Sequence, residues 1–165
     1  MPWALGGLHL GDHVLEVGPG PGLTTDILRT SYSKLTSIEI DSKLAGALKE
    51  RMTGTNVAVV HGDATDMPFD DASFSGAVCF TMLHHVPSVS LQDELLAEVC
   101  RVLKPGGVFA GSDSRTSLRF RFFHIWDVMV PIDPDTFGAR LERAGFSDVS
   151  IKATDRAFKF RARRS

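Results

Sequence analysis

Along this chain, short continuous apolar runs alternate with stretches of helical spacing. His13–Val17, HVLEV, is a short apolar run that ends in glycines, the mark of a buried strand. Leu23–Thr30 then predicts a helix. Leu35–Ile40 predicts a second strand, and Ser42–Met52 a helix with Leu44, Ala45 and Leu48 on one face. Asn56–Val60 and Gly76–Phe80 predict a third and a fourth strand. Leu91–Leu103 sets Leu95, Leu96, Val99, Val102 and Leu103 at three- and four-residue intervals, which is an amphipathic helix. Lys104-Pro105-Gly106-Gly107 predicts its stop and a turn. Val108–Ser112 predicts a fifth strand and Asp135–Ala144 a helix ended by Gly145. Val149–Lys152 and Ala157–Arg161 predict a closing pair of strands.

This alternation, without internal repeat or linker, predicts a single α/β domain over residues 1–165. The fold class expected is a Rossmann-like, doubly wound, seven-stranded and mostly parallel sheet with helices on both faces. Ligands of such sheets sit outside the carboxyl ends of the strands. The residues just after the first four strands are therefore the ones to read for chemistry.

Composition narrows the class. The chain has 165 residues, 43% hydrophobic and 23% charged, enough for a real core. Its longest apolar runs fall well short of the ~20 residues of a membrane span, so no stable membrane insertion is expected. The start, MPWALGGLHLGD, has no basic region and no long apolar region, so a cytoplasmic protein is expected. Cys79 and Cys100 have apolar neighbours and no metal-ligand spacing, which predicts buried free thiols and no metal site. Residues 1–110 carry 7 Lys/Arg against 13 Asp/Glu, and residues 111–165 carry 11 against 7. The basic final third leaves a phosphorylated or carboxylated small-molecule acceptor open. Nucleic acid is not expected. Phe158-Lys159-Phe160-Arg161 alternates aromatic and basic residues over four positions only, the pattern of a strand with one face in the core.

The glycine loop VLEVGPGPG, residues 14–22, poses the chemical question. Gly18, Gly20 and Gly22 follow the first strand and precede a helix. The dinucleotide fingerprint G-x-G-x-x-G needs glycine where Leu23 stands, which counts against a nicotinamide-dependent oxidoreductase. Glu16 counts further against it. A carboxylate about 4 Å from a phosphate charge is repelled by roughly 4 kcal/mol at an effective dielectric of 20. A cationic ligand reverses that sign. Glu39 ends the second strand, 21 residues after Gly18, where such folds place the acid that accepts from ribose hydroxyls. Asp63 follows the third strand in HGDATDMPF. Three carboxylates at three adjacent strand ends suit a positively charged nucleoside, and S-adenosylmethionine is one.

VLEVGPGPG, IEID, GDATDMPFDDASF, LHHV and LKPGG occur in that order. With these motifs the chain resembles the class I S-adenosylmethionine-dependent methyltransferases, in particular the small-molecule branch that includes the quinone-biosynthesis enzymes. The resemblance covers residues 12–112 well and the rest loosely. It implies that the backbone of Gly18, Pro19 and Gly20 runs along the methionine part of the cofactor and that Glu16 faces its ammonium. It implies Glu39 on the ribose, Ile40 on the adenine face, Asp63 and the Ala64 N–H on the adenine edge, and Phe80 beside the methionine. Asp41 is left to the solvent or to capping the next helix. One departure is Phe74-Ser75, where the family usually has Phe-Asp.

The resemblance implies methyl transfer to a small, apolar or aromatic acceptor through oxygen, nitrogen or carbon. A module that binds the cofactor without turnover is the alternative. His84, just after the fourth strand, is a candidate general base and His85 a structural residue. Residues 114–131, SRTSLRFRFFHIWDVMVP, are apolar nearly all round, unlike a surface helix. The segment 113–131 is therefore expected to be an acceptor lid or an interface, with His124 as a second candidate base. The short N-terminus suggests an open site or one closed in a homodimer.

Overall fold

A computed structural model describes residues 9–114 and 129–165. Its seven strands form one sheet in the order β3-β2-β1-β4-β5-β7-β6. They are β1 (His13–Val17), β2 (Lys34–Glu39), β3 (Val57–His61), β4 (Phe74–Phe80), β5 (Leu103–Ser114), β6 (Phe146–Ala153) and β7 (Ala157–Arg164). The pairs from β3 through β5 are parallel, and β7 runs antiparallel to both β5 and β6. The helices are α1 (Leu23–Leu28), α2 (Ser42–Arg51), α3 (Val89–Val102) and α4 (Pro134–Arg143), with a 3₁₀ turn at Leu83–His85. The expected doubly wound, mostly parallel sheet is the fold observed.

Alternation along the strands divides the core in two. Leu15, Ala77, Cys79, Phe109, Phe158 and Phe160 point to one face, where Leu95, Leu96 and Val99 of α3 and Phe137 and Leu141 of α4 cover them. Val14, Leu35, Val78, Phe80, Val108 and Ala110 point to the other, with Leu10 and with Leu28 of α1. Burial on both faces explains why β1 and β4 read as continuous apolar runs rather than as alternation. On the first face, Phe160 meets Phe109 and Phe137 edge-on, at 4.9 and 5.2 Å between ring centroids, a favoured aromatic geometry.

Several boundaries differ from the sequence expectation for local reasons. Helix α3 starts two residues early because the Ser88 hydroxyl accepts the Leu91 N–H at 3.1 Å and caps it. Asp41 caps α2 by accepting from Lys43 and Leu44, and the Leu44 N–H in particular holds its carboxyl below the usual range. The Lys104-Pro105-Gly106 turn lies inside β5 rather than before it. Phe74 pairs with Leu103 and Gly76 with Val108, so the intervening residues bulge out. Ser75, at the departure from Phe-Asp, accepts the His13 N–H at 3.0 Å and donates to the His13 carbonyl at 2.9 Å. A carboxylate could not make the second bond. Both cysteines are free and buried, and burial pushes both thiols up. Among the described residues, no helix is long and apolar enough to cross a membrane.

Phe160 is 2% exposed at the junction of β5, β7 and α4. Truncation to alanine is expected to cost about 3–5 kcal/mol, read as a lower urea midpoint at unchanged slope.

Candidate functional site

The site is built where β1 turns into α1. Gly18, Gly20 and Gly22 all have positive φ, at 65°, 54° and 81°, a conformation costly for residues with a Cβ. At Gly18 and Gly22 space is also closed. A Cβ would stand 2.3 Å from Met82 Cγ at Gly18, and 2.3 Å from an Arg51 nitrogen at Gly22. The loop is fastened to β2 by the Gly18 N–H on the Ile38 carbonyl, 3.0 Å. Gly20 N–H donates to Glu39 Oε2 at 2.9 Å. From α2, Arg51 reaches the Pro21 and Gly22 carbonyls at 2.9 and 3.3 Å and pairs with Asp26.

The loop borders a cavity of about 530 Å³ at the carboxyl ends of the strands. Seven of the residues predicted to hold the cofactor line it together: Gly18, Pro19, Gly20, Glu39, Ile40, Asp63 and Ala64, with Phe80 as an eighth. Ile40 is 65% exposed there, an apolar surface open to the cavity. Glu39 is 6% exposed, and its second oxygen accepts the Asp41 N–H at 3.0 Å. Asp63 Oδ1 accepts the Thr65 N–H and hydroxyl, both at 2.8 Å. Among the described lining residues there are two carboxylates and no Lys or Arg, so the field favours a cation.

Glu16 does not line the cavity. It is buried beneath the loop at 1% exposure. Oε2 accepts from Thr25 at 2.6 Å and from Ser37 at 2.8 Å. Oε1 has no hydrogen-bond partner among the described residues. A buried carboxylate oxygen left unpaired is costly, and it points to a partner beyond the described residues.

The two histidines differ in their relation to the cavity. His84 is 4% exposed and does not line the cavity, because its ring turns to Asp113 of β5. His85 is exposed and does line it. His124 and most of the 113–131 segment lie outside the described residues.

Sequence reading missed the residues that hold the loops in place. After β3, the chain from Gly62 to Ser73 has no helix, and Arg101 of α3 anchors it. Its guanidinium grips both Glu98 oxygens at 2.7 Å and reaches the Phe69 and Met67 carbonyls at 2.7 and 3.0 Å. Glu98 also accepts the Met67 N–H at 2.7 Å. Only the i, i+3 spacing of Glu98 and Arg101 was visible beforehand. Arg51 and Thr25 carried no signal, since their partners are fixed by tertiary packing.

A glycine loop beneath carboxylates at successive strand ends, on a sheet of this order, defines the class I S-adenosylmethionine-dependent methyltransferase fold, and S-adenosylmethionine is the cofactor of that class. A methyltransferase domain family model matches residues 15–111, and the chain belongs to that family. It is 34% identical over 107 residues to a fatty-acid O-methyltransferase of Mycolicibacterium smegmatis, covering 64% of this chain and 38% of that one. It is 29% identical over 133 residues to a demethylmenaquinone methyltransferase of Symbiobacterium thermophilum, covering 74% and 52%. The chain thus spans about half or less of these relatives' length. Among solved structures, a phosphoethanolamine N-methyltransferase 2 of Haemonchus contortus with S-adenosyl-L-methionine superposes with a TM-score of 0.82. It shares 14% identity and covers 97% of this chain and 50% of that one. A S-adenosylmethionine-dependent methyltransferase of Aquifex aeolicus gives 0.77 at 22% identity, covering 95% and 85%.

Two outcomes are expected. Gly18→Ala meets both positive φ and the Met82 side chain, so it should lower stability by more than the ~1–2 kcal/mol of left-handed strain alone and abolish ligand-induced stabilisation. For Glu98, the hydrogen bonds from Arg101 hold its pKa below the ordinary 4.5. The stability it contributes is therefore complete above that value and disappears as pH falls through the lower, folded-state value. Glu98→Gln should be less stable than wild type at neutral pH, with the gap closing in acid, as read from urea midpoints across pH.

Proposed function

We propose that this chain is the cofactor-binding and catalytic domain of a methyltransferase acting on a small, apolar or aromatic acceptor. The observation that carries the reading is the convergence of the Gly18–Pro21 loop, Glu39 and Asp63 on one cavity, above a buried Glu16 oxygen without a partner among the described residues. Those residues fit S-adenosylmethionine, which supplies an electrophilic methyl on a sulfonium.

In this reading the Gly18-Pro19-Gly20 backbone lies along the methionine part, and Phe80 flanks it. Glu16 Oε1 meets the ammonium through water, which gives the orphan oxygen its partner. Each Glu39 oxygen already holds one backbone N–H, and each keeps a lone pair for a ribose hydroxyl. Ile40 covers the adenine face, while Asp63 Oδ2 and the Ala64 N–H take its edge. Two carboxylates near a cationic ligand favour it by the Coulomb term that would exclude a pyrophosphate, which disfavours the nicotinamide alternative.

The acceptor belongs on the β4 side of the cavity, whose wall includes Met82, Val86, Pro87, Leu91 and Leu95. That wall is apolar, which supports an apolar or aromatic acceptor. The described ends of the 113–131 segment meet at His84, next in sequence to the lining residue His85, since Asp113 and Val130 both bond His84. This supports assigning the segment to the acceptor. The relatives' fatty-acid and menaquinone names support the same class.

The test is S-adenosylhomocysteine formation by the full chain from S-adenosylmethionine with three acceptors: dodecanoate, a hydroxynaphthalene and a primary amine. Turnover with at least one is expected. Tight cofactor binding without turnover on any would overturn the reading in favour of a non-catalytic binding module. Glu39→Gln should weaken cofactor binding by about 1.5–3 kcal/mol, or roughly ten- to hundredfold in Kd.

A further inference from the structure

The geometry points to His85 as the residue that takes a proton from a hydroxyl-bearing acceptor, held in position by His84 and Asp113. The inference rests on the methyltransferase reading and adds to it the class of acceptor.

Three described residues lining the cavity titrate. Glu39 and Asp63 stand at the β2 and β3 ends, and His85 stands on the far side of the glycine loop, after β4. His85 alone of these carries an imidazole, the side-chain type that most often serves as a general base. It sits among the apolar residues of the β4-side wall, where an aromatic acceptor would lie.

The turn that carries His85 is fixed from several directions. Asp113, 1% exposed, accepts the His84 backbone N–H on Oδ2 at 3.2 Å and the His84 ring Nδ1 on Oδ1. One carboxylate thus locks both the main chain and the ring of His84. The Val130 N–H donates to the His84 carbonyl at 2.9 Å. Gln92 donates to the Leu83 carbonyl at 3.1 Å and to the Val130 carbonyl at 2.9 Å. His85 then lies against the immobilised ring of His84, 4.1 Å between centroids and 41° between planes. A buried carboxylate needs a partner, so Asp113 and His84 hold one another. His84 is therefore a positioning residue and the platform beneath His85.

The proton balance is simple. The acceptor O–H bond breaks, its proton passes to a His85 ring nitrogen, and its electron pair stays on oxygen. That pair forms the bond to the transferred methyl, whose former bond leaves its own pair on the donor sulfur. His85 is exposed, so the proton passes on to water. A carboxylate acceptor has already lost its proton at neutral pH and needs no such group.

That difference supplies the test. In the full chain, His85→Gln is expected to lower kcat on a hydroxynaphthalene by about 10²–10⁴-fold. S-adenosylhomocysteine affinity should stay within about threefold, and any turnover of dodecanoate should fall far less than that of the hydroxynaphthalene. Without turnover, adding the hydroxynaphthalene to the S-adenosylhomocysteine complex should shift the His85 ring signals in NMR and leave those of His84 in place. Asp113→Asn should shift the His85 ring signals in the absence of acceptor and lower kcat more than it raises KM. Should that variant fail to fold, the His85 variant alone decides. Unchanged turnover of the hydroxynaphthalene by His85→Gln, or wild-type transfer to dodecanoate or the amine only, would overturn this inference and leave the methyltransferase reading standing. Cofactor binding without transfer to any acceptor would overturn both.

Discussion

The reversal of the chain at the end of β1 is the constraint on which the site depends. In five residues the backbone must leave a buried strand, pass close to β2 and the post-β4 turn, and enter α1. Three left-handed glycines make the path possible, and two of them leave no room for a Cβ. Hydrogen bonds then fix the path: Gly18 to β2, Gly20 to Glu39, and the loop carbonyls to Arg51. The residue that would bind ribose is thus also one that shapes the loop. In the proposed reading, ligand recognition and local fold share Glu39, whose carboxylate already holds the loop through the Gly20 N–H.

Charge placement follows from the same geometry. Parallel strands deliver their carboxyl ends to one edge of the sheet, so acids at the ends of β2 and β3 converge without long-range design. Glu16 differs, because it lies within β1 and points beneath the loop. Thr25 and Ser37 satisfy one of its oxygens and leave the other. Held in this way, Glu16 places its carboxyl group under the loop rather than at its surface. The second loop, after β3, has no helix to stiffen it, and the Arg101–Glu98 pair takes that part.

The parts legible in the sequence were those with local causes. Periodicity located every strand and described helix, and the glycine spacing with Glu39 and Asp63 located the cavity, because strand ends are local events in a parallel sheet. Boundaries shifted where a cap or a bulge decided them, as with Ser88 and the Lys104–Gly106 turn. What was not legible depends on side chains distant in sequence. Nothing near LHHV shows that Asp113, 29 positions from His84, will turn that ring inward and leave His85 at the cavity. Arg51 and Arg101 were likewise silent, since each acts on carbonyls about 30 residues away.

The central claim is that this loop and these acids hold an adenosine nucleoside with an ammonium-bearing side chain and exclude a dinucleotide. Thermal unfolding of the full chain with saturating S-adenosylhomocysteine, beside NAD and no ligand, tests it most directly. At about 100 times its Kd a ligand stabilises the native state by ~2.7 kcal/mol, a shift of several degrees for a domain of this size. The account predicts that shift with S-adenosylhomocysteine and none with NAD. A shift with NAD alone, or with neither, would contradict it.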